Sequence, residues 1–236
     1  MINYVAETGS TNADLAYRLG RGDLVWEGDW LVADRQTKGR GRQGREWFDG
    51  FGNFMGSTVV HLTCGDPPIP TLALMSGMAV RDTCASVTSS PEPMQLKWPN
   101  DLMIGAAKVA GILLERQGDH VVVGIGVNLA NAPSVAGRKT ASLADFGLSS
   151  NRDEFAEQLT HYFGRELDRW RTYGLELLLS RWQNVAHPKG TRLQVHDTDH
   201  STVVGTFDGL ADDGSLTLRL ADGTRRAIHA GDVTLN

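Results

Sequence analysis

The sequence predicts an α+β fold: a mixed sheet flanked by helices over residues 1–186, then a small C-terminal β domain of SH3-like barrel type over 187–236. Three observations predict it. Stretches with helical spacing of apolar residues alternate with strand-like runs in the first part of the chain. Two β-rich runs, 106–115 and 120–129, are joined by Arg116-Gln117-Gly118-Asp119, a hairpin with a turn glycine. From Thr191 onward, the short runs RLQVHD, VVGTFDGL, SLTLRL and TRRAIHAGDVTL alternate with Asp/Gly turns.

In chain order, 10–20 reads as a helix. Ser10, Thr11 and Asn12 are N-cap residue types, Leu15 and Leu19 share a face, and Gly20 and Gly22 close it. WLVAD (30–34) is a short strand. Residues 35–53 are too rich in Gly and Arg for regular structure and read as a loop. A strand at 53–62 precedes a helix from Pro70 to Val87, and MQLKW (94–98) is a strand that Pro99 stops. Residues 151–183 form one long helix, with Phe155, Leu159, Phe163, Leu167 and Trp170 three and four apart and Asn151 with Glu154 as a capping box. Trp170 and Trp182 belong to the core. Pro188 and Gly190 mark the boundary of the tail.

The chain has 236 residues, 41% hydrophobic and 22% charged, which excludes disorder as its main state. The formal charge of -5 excludes recruitment of nucleic acid by bulk charge, so any anion site is local. Cys64 and Cys84 give neither a disulfide framework nor zinc spacing and suit a reducing cytosol. The start, MINYVAETGSTNADLA, lacks the basic and apolar runs of a signal peptide, and Arg81 and Asp82 interrupt the apolar stretch at 71–88. The expectation is a cytoplasmic protein with no membrane or DNA partner.

Three segments carry chemistry. In KGRGRQGREW (38–47), Gly39, Gly41 and Gly44 alternate with Lys38, Arg40, Arg42 and Arg45. Glycines let several backbone N–H groups converge on an anion, arginines add planar forks, and Trp47 offers a flat surface to a base. The Walker pattern is absent. Alone, the segment fits a nucleotide-phosphate clamp, a solvated loop or an RNA-contacting Gly/Arg stretch; the acidic total weighs against RNA. In LKWPND (96–101), Asn100 and Asp101 stand at a strand's C-terminal edge. Asn suits an adenine edge and Asp a lysine or a magnesium ion, while turn chemistry also explains Pro-Asn-Asp by itself. In AAKVAGILLE (106–115), Lys108 lies among apolar residues. Alternation puts Lys108, Ala110 and Ile112 on one side and Val109, Gly111 and Leu113 on the other. Either Lys108 guards a wet edge or an anion meets it. Gly111 and the glycines of GIGVN (124–128) suit a close-lying ligand, with Asn128 at the end of the run.

In order and spacing, STN (10–12), Gln36, GRGRQGR (39–45), Trp47, KWPND (97–101), KVAGIL (108–113) and GIGVN (124–128) resemble the catalytic domain of biotin protein ligases. The resemblance covers most of residues 8–130, and the β-rich tail fits the family's small C-terminal domain. It implies a class II synthetase/biotin-lipoate ligase-like fold and activation of biotin by ATP with Mg²⁺ to biotinyl-5′-AMP. Biotin then passes to a lysine of a biotin carboxyl carrier protein or of the biotin-acceptor domain of a carboxylase such as acetyl-CoA carboxylase; a homodimer is compatible. It further implies biotin contacts at Ser10, Thr11, Asn12, Gln36, Gly39, Arg40, Lys108, Gly111 and Gly126. The implied nucleotide contacts are Arg42, Arg45, Trp47, Asn100, Lys108 and Asn128, and the implied catalytic group is Lys108, Arg42, Arg40 and Asp101. The metal's ligands stay unassigned. Regulatory members carry an N-terminal helix-turn-helix for which no room is expected here. A lipoate ligase is the nearest rival reading and an RNA-binding Gly/Arg module the more distant one. His196 and His200 lie in a turn-rich tail and are not expected to bind metal.

Overall fold

A computed structural model describes residues 1–90, 92–196 and 201–235. A seven-stranded mixed sheet runs in the order β1-β2-β3-β7-β6-β5-β4. Its strands are β1 Ile2–Thr8, β2 Trp30–Gln36, β3 Phe54–His61, β4 Met94–Lys97, β5 Asp101–Ile104, β6 Ala107–Gln117 and β7 His120–Val127. β1 and β2 are parallel and the remaining pairs antiparallel.

Helices cover both faces. Helix α1 (Thr11–Gly20) is capped by Ser10, whose side chain accepts from the Ala13 N–H, and it ends before Gly22 at φ 78°. Its Leu15 packs with Val25, Leu31, Val59 and Val122 in a small core. Helices α2 (Thr71–Val87) and α3 (Arg152–Asn184) cover the other face over the main core. There the Trp30 ring meets Phe163 edge-on at 5.3 Å, and Trp170 donates from Nε1 to Thr71 Oγ1 at 2.8 Å. Trp170 and Trp182 are buried, and Asn151 and Glu154 form the capping box. Cys84 is buried in α2, where desolvation raises its thiol pKa; Cys64 is exposed, and both are free. No helix among the described residues is long and apolar enough to cross a membrane.

The structure corrects several expectations. β1 adds an edge strand that the sequence conceals, because only its Ile2, Val5 and Thr8 are partly covered. Its pairing, to Thr8↔Gln36, lengthens β2 past Asp34. Pro99 does not end pairing: Trp98-Pro99-Asn100, with a cis Trp98–Pro99 bond, turns β4 back into β5, so Asp101 opens a strand rather than trailing one. α3 is broken at Gly174, where φ 69° and ψ -165° suit only glycine.

The tail is a second, five-stranded antiparallel sheet, ordered β11-β10-β9-β8-β12. Its strands are β8 Arg192–His196, β9 Thr202–Leu210, β10 Leu216–Arg219, β11 Arg225–Ile228 and β12 Asp232–Leu235. It is not the closed barrel expected, because β11 and β12 remain its two edges. Arg225, Arg226 and Ala227 of four-residue β11 are exposed, leaving little to bury by closure. Leu193, Val195, Phe207 and Leu216 instead continue the main core. His196 bonds Gln194 and Thr202; His200 lies outside the described residues.

Candidate active site

The site lies on the α1 side of the large sheet, where three glycines leave the strands bare. Gly111 of β6 faces Gly126 of β7 in register, with Gly124 one pleat away. Asn12 lies on Gly124, so that a Cβ there would fall well inside contact distance of its Oδ1. The Trp47 indole lies on Gly126 and Gly111 in the same way. The glycines thus form a floor on which flat groups lie against backbone. Ala at Gly126 drives a methyl into the indole. The expected result for Gly126→Ala is at least about tenfold weaker nucleotide binding, measured by calorimetry, with a melting point within a few degrees of wild type.

Lys108 lies on this floor, not on the side that simple alternation assigns. The β5–β6 register slips between Leu102↔Ala110 and Met103↔Lys108. The extra residue lets both Val109 and Ala110 enter the core and turns Lys108 to the face of Gly111. A Cβ on Gly111 would lie 2.9 Å from the Lys108 Nζ, and that amine sits 5.6 Å from the Trp47 ring centroid.

Asp101 holds Lys108 at 2.6 Å and Lys97 at 3.2 Å. Its side chain is 12% exposed. Burial pushes its pKa up, but Lys108 and then Lys97 more than offset this and hold it below the usual carboxylate range. Asp101 is therefore held in its ionised form, with two lysine side chains sharing one carboxylate. Lys97 also donates to the Val233 carbonyl at 3.1 Å.

The basic loop is more regular than its composition suggests. Gly39 and Trp47 pair through the Trp47 N–H, Arg40 bridges Glu46, and a 3₁₀ turn spans Arg42–Gly44, with Gln43 at φ 57°. The arginines diverge. Arg42 turns inward, donating to Asn100 Oδ1 at 3.3 Å and to the Gly231 carbonyl at 3.2 Å. Burial lowers its pKa; Asp232 and Asp101 oppose that shift and Arg45 adds to it. Arg45 pairs with Asp232 of the second sheet. Arg40 is exposed, and among the described residues its side chain has no bonding partner.

Beside Gly124 the polar residues of α1 form one network. The Thr11 N–H donates to Gln36 Oε1 at 2.7 Å, Thr11 Oγ1 lies 2.7 Å from Ser57 Oγ, Ser57 donates to Asn12 Oδ1, and Asn12 donates to Glu115 Oε2. Ser10 is used as the helix cap. Asn100 donates to the Ile112 carbonyl at 2.7 Å while accepting from Arg42. Asn128 donates to the Ala141 carbonyl at the end of β7, pinning the loop that also bonds both backbone groups of Lys108.

Sequence reasoning missed Ser57, Glu115 and the Gly231-Asp232-Val233 strip. Ser57 leaves a trace, a polar residue inside the apolar run FMGSTVV. Glu115 closes the apolar run of AAKVAGILLE and looks like an ordinary boundary residue. Asp232 leaves none, since 187 positions separate it from Arg45.

Residues 11–128 match the model of the biotin/lipoate A/B protein ligase family, and 194–235 match the biotin protein ligase C-terminal domain. The chain is 33% identical to the biotin–[acetyl-CoA-carboxylase] ligase of Paracoccus denitrificans, over 97% of this chain and 98% of that one. This chain belongs to the biotin/lipoate A/B protein ligase family. It is also 34% identical to the enzyme of the same name from Mycobacterium tuberculosis, over 98% of this chain and 88% of that one. A solved ligase of the family, biotin protein ligase from Aquifex aeolicus in complex with biotin and ATP, superposes with a TM-score of 0.86 at 26% identity, covering 100% of this chain and 98% of that one. The family match spans the glycine floor, the arginine loop, Lys108 and Asp101, and its C-terminal model spans the strip that reaches Arg42 and Arg45.

Proposed function

We infer that this chain is a biotin–protein ligase, which activates biotin with ATP to biotinyl-5′-AMP and transfers it to a lysine of a biotin-accepting carboxylase domain. The observation that carries the reading is the Lys108 ammonium held by Asp101 over the glycine floor, with Arg42 turned inward beside it.

In the first step a biotin carboxylate oxygen attacks the α-phosphorus of ATP. A P–O bond forms, the bond to the β-phosphate breaks, and pyrophosphate leaves. Two anions must approach, and fixed cations lower that repulsion and stabilise the charge on the reacting phosphoryl group. In this reading Lys108 and Arg42 supply those cations, with Asp101 positioning Lys108, which the Lys108–Asp101 and Arg42–Asn100 contacts support. Trp47 supplies the flat face for a base. In the second step the carrier's lysine amine attacks the acyl carbonyl and AMP departs, so the nucleophile belongs to the partner. The loop over the floor keeps water from the mixed anhydride.

Among the described residues no three acidic, His or Cys side chains converge on a metal position, and two lysines already engage Asp101. A magnesium ion would therefore accompany ATP rather than sit in a preformed protein cage, as magnesium binds through one or two carboxylates together with nucleotide phosphates, and it would supply further neutralisation of the phosphate charge.

The neutral network Gln36–Thr11–Ser57–Asn12 favours biotin over lipoate, since it offers donors and acceptors to a cyclic urea, whereas a dithiolane ring uses neither. The RNA-contact reading loses ground because Arg42 and Arg45 face Asn100 and Asp232. The test is pyrophosphate release from folded protein, with hydroxylamine trapping of the acyl species. Release should require biotin and ATP together and should not occur with lipoate; biotin-independent or lipoate-dependent release refutes the reading.

A further inference from the structure

The polar network beside the glycine floor has a single direction, and Glu115 sets it. A carboxylate can only accept hydrogen bonds. Glu115 Oε2 accepts from Asn12 Nδ2 at 2.7 Å, which aims Asn12 Oδ1 at Ser57. Ser57 Oγ therefore donates, at 2.6 Å, and has no proton left for Thr11. Thr11 Oγ1 must in turn donate to Ser57 across 2.7 Å, the shorter of its two contacts, with Gln36 Oε1 at 3.1 Å. The Thr11 backbone N–H fixes that same Oε1, leaving Gln36 Nε2 as the free donor end of its amide. At the head of the chain Thr11 Oγ1 keeps its lone pairs, and it presents itself to a ligand as an acceptor. Among the described residues Glu115 makes no ion pair, so its charge acts along this chain of bonds rather than on a neighbouring cation.

We propose that Glu115 is a specificity-determining positioning residue: through Asn12 and Ser57 it fixes Thr11 as a hydrogen-bond acceptor, selecting a cyclic urea that brings an N–H there over a ring that brings an oxygen. The inference rests on the biotin-ligase reading and deepens it. Glu115 touches no substrate; it acts on the orientation of two side chains that separate it from Thr11.

The experiment compares binding of biotin with that of a cyclic carbamate analogue in which one ring N–H is replaced by oxygen, by calorimetry on the full chain. Wild type should prefer biotin by about 100-fold or more, as sites built around a ligand N–H do. In Glu115→Leu, Asn12 is free to turn and Thr11 free to donate, so the preference should narrow to about tenfold or less. The ATP KM at saturating biotin should stay unchanged. Glu115→Gln, whose Oε1 can still accept from Asn12, should keep the preference to within about threefold of wild type. Ser57→Ala interrupts the same chain without touching Glu115 and should narrow the preference as Leu does. The proposal is overturned if Glu115→Leu and Ser57→Ala keep the wild-type preference, or if they weaken both ligands equally. Wild type that binds no biotin refutes the ligase reading itself, and this inference with it, before any variant is compared.

Discussion

Lys108→Ala abolishes most adenylation while leaving the fold in place: biotin-dependent pyrophosphate release falls by about 10²–10⁴-fold, and the melting temperature moves by only a few degrees. The size follows from where the amine sits. It lies over Gly111 with one of its hydrogens on Asp101, leaving others for an anion on the floor. In a site closed off from water, a fixed cation is worth far more than in bulk. The fold is spared because Asp101 keeps Lys97 at 3.2 Å, so no bare carboxylate is left behind. Loss should appear in kcat more than in the KM for biotin, since the contact strengthens as charge builds on the phosphoryl group. A variant with wild-type turnover removes Lys108 from the chemistry.

The largest stability effect is expected far from the site, at Glu166. This residue is 1% exposed, and it binds Arg181 at 2.5 Å and Arg169 at 2.7 Å, with Arg165 at 3.5 Å. Arg181 comes from beyond the break at Gly174, so the carboxylate clips the two halves of α3 together. Glu166→Gln leaves the guanidinium groups facing a neutral amide. Removing one partner of a buried pair costs about 3–5 kcal/mol; because these arginines reach water, about 2–3 kcal/mol is the better figure here. At this chain length that lowers the melting temperature by roughly 4–12 °C. The pH dependence gives a second check. Burial raises the Glu166 pKa, but Arg181 first and Arg169 next bring it below its ordinary value of 4.5. Its contribution is therefore present in full above that value and is lost as pH falls through the lowered one. Thermal melts of wild type and Glu166→Gln should differ clearly at neutral pH and converge in strong acid; a gap that persists there contradicts the clip.

How far the sequence could be read depends on whether a signal was local. α1, α2 and the start of α3 were legible because caps and apolar spacing sit within one segment. Ser10 and the Asn151–Glu154 box act where the residue types place them. The β6–β7 hairpin was legible for the same reason, and the basic loop, Lys108 and Asp101 do come together. The face of Lys108 was not, because alternation assumes an unbroken ladder and the slip beside Val109 reverses the parity. β1 and β5 escaped because one is a mostly exposed edge and the other is four residues entered through a proline turn. The break in α3 escaped because a glycine inside a helical pattern carries no local mark of the positive φ that Gly174 adopts. The open second sheet and the Asp232 contact depend on packing between distant segments, which no local pattern encodes.

The strip Gly231-Asp232-Val233 supplies one carbonyl to Arg42, one to Lys97 and a carboxylate to Arg45. Chains are made from the N-terminus, and Arg45 precedes its partner by 187 positions. A ribosome-bound intermediate can thus carry every residue of the glycine floor while its arginines lack the seat they occupy in the finished molecule. Competence would arrive late in synthesis, and a nick or bulky fusion beside β12 would be felt at the phosphate end of the site rather than as lost bulk stability.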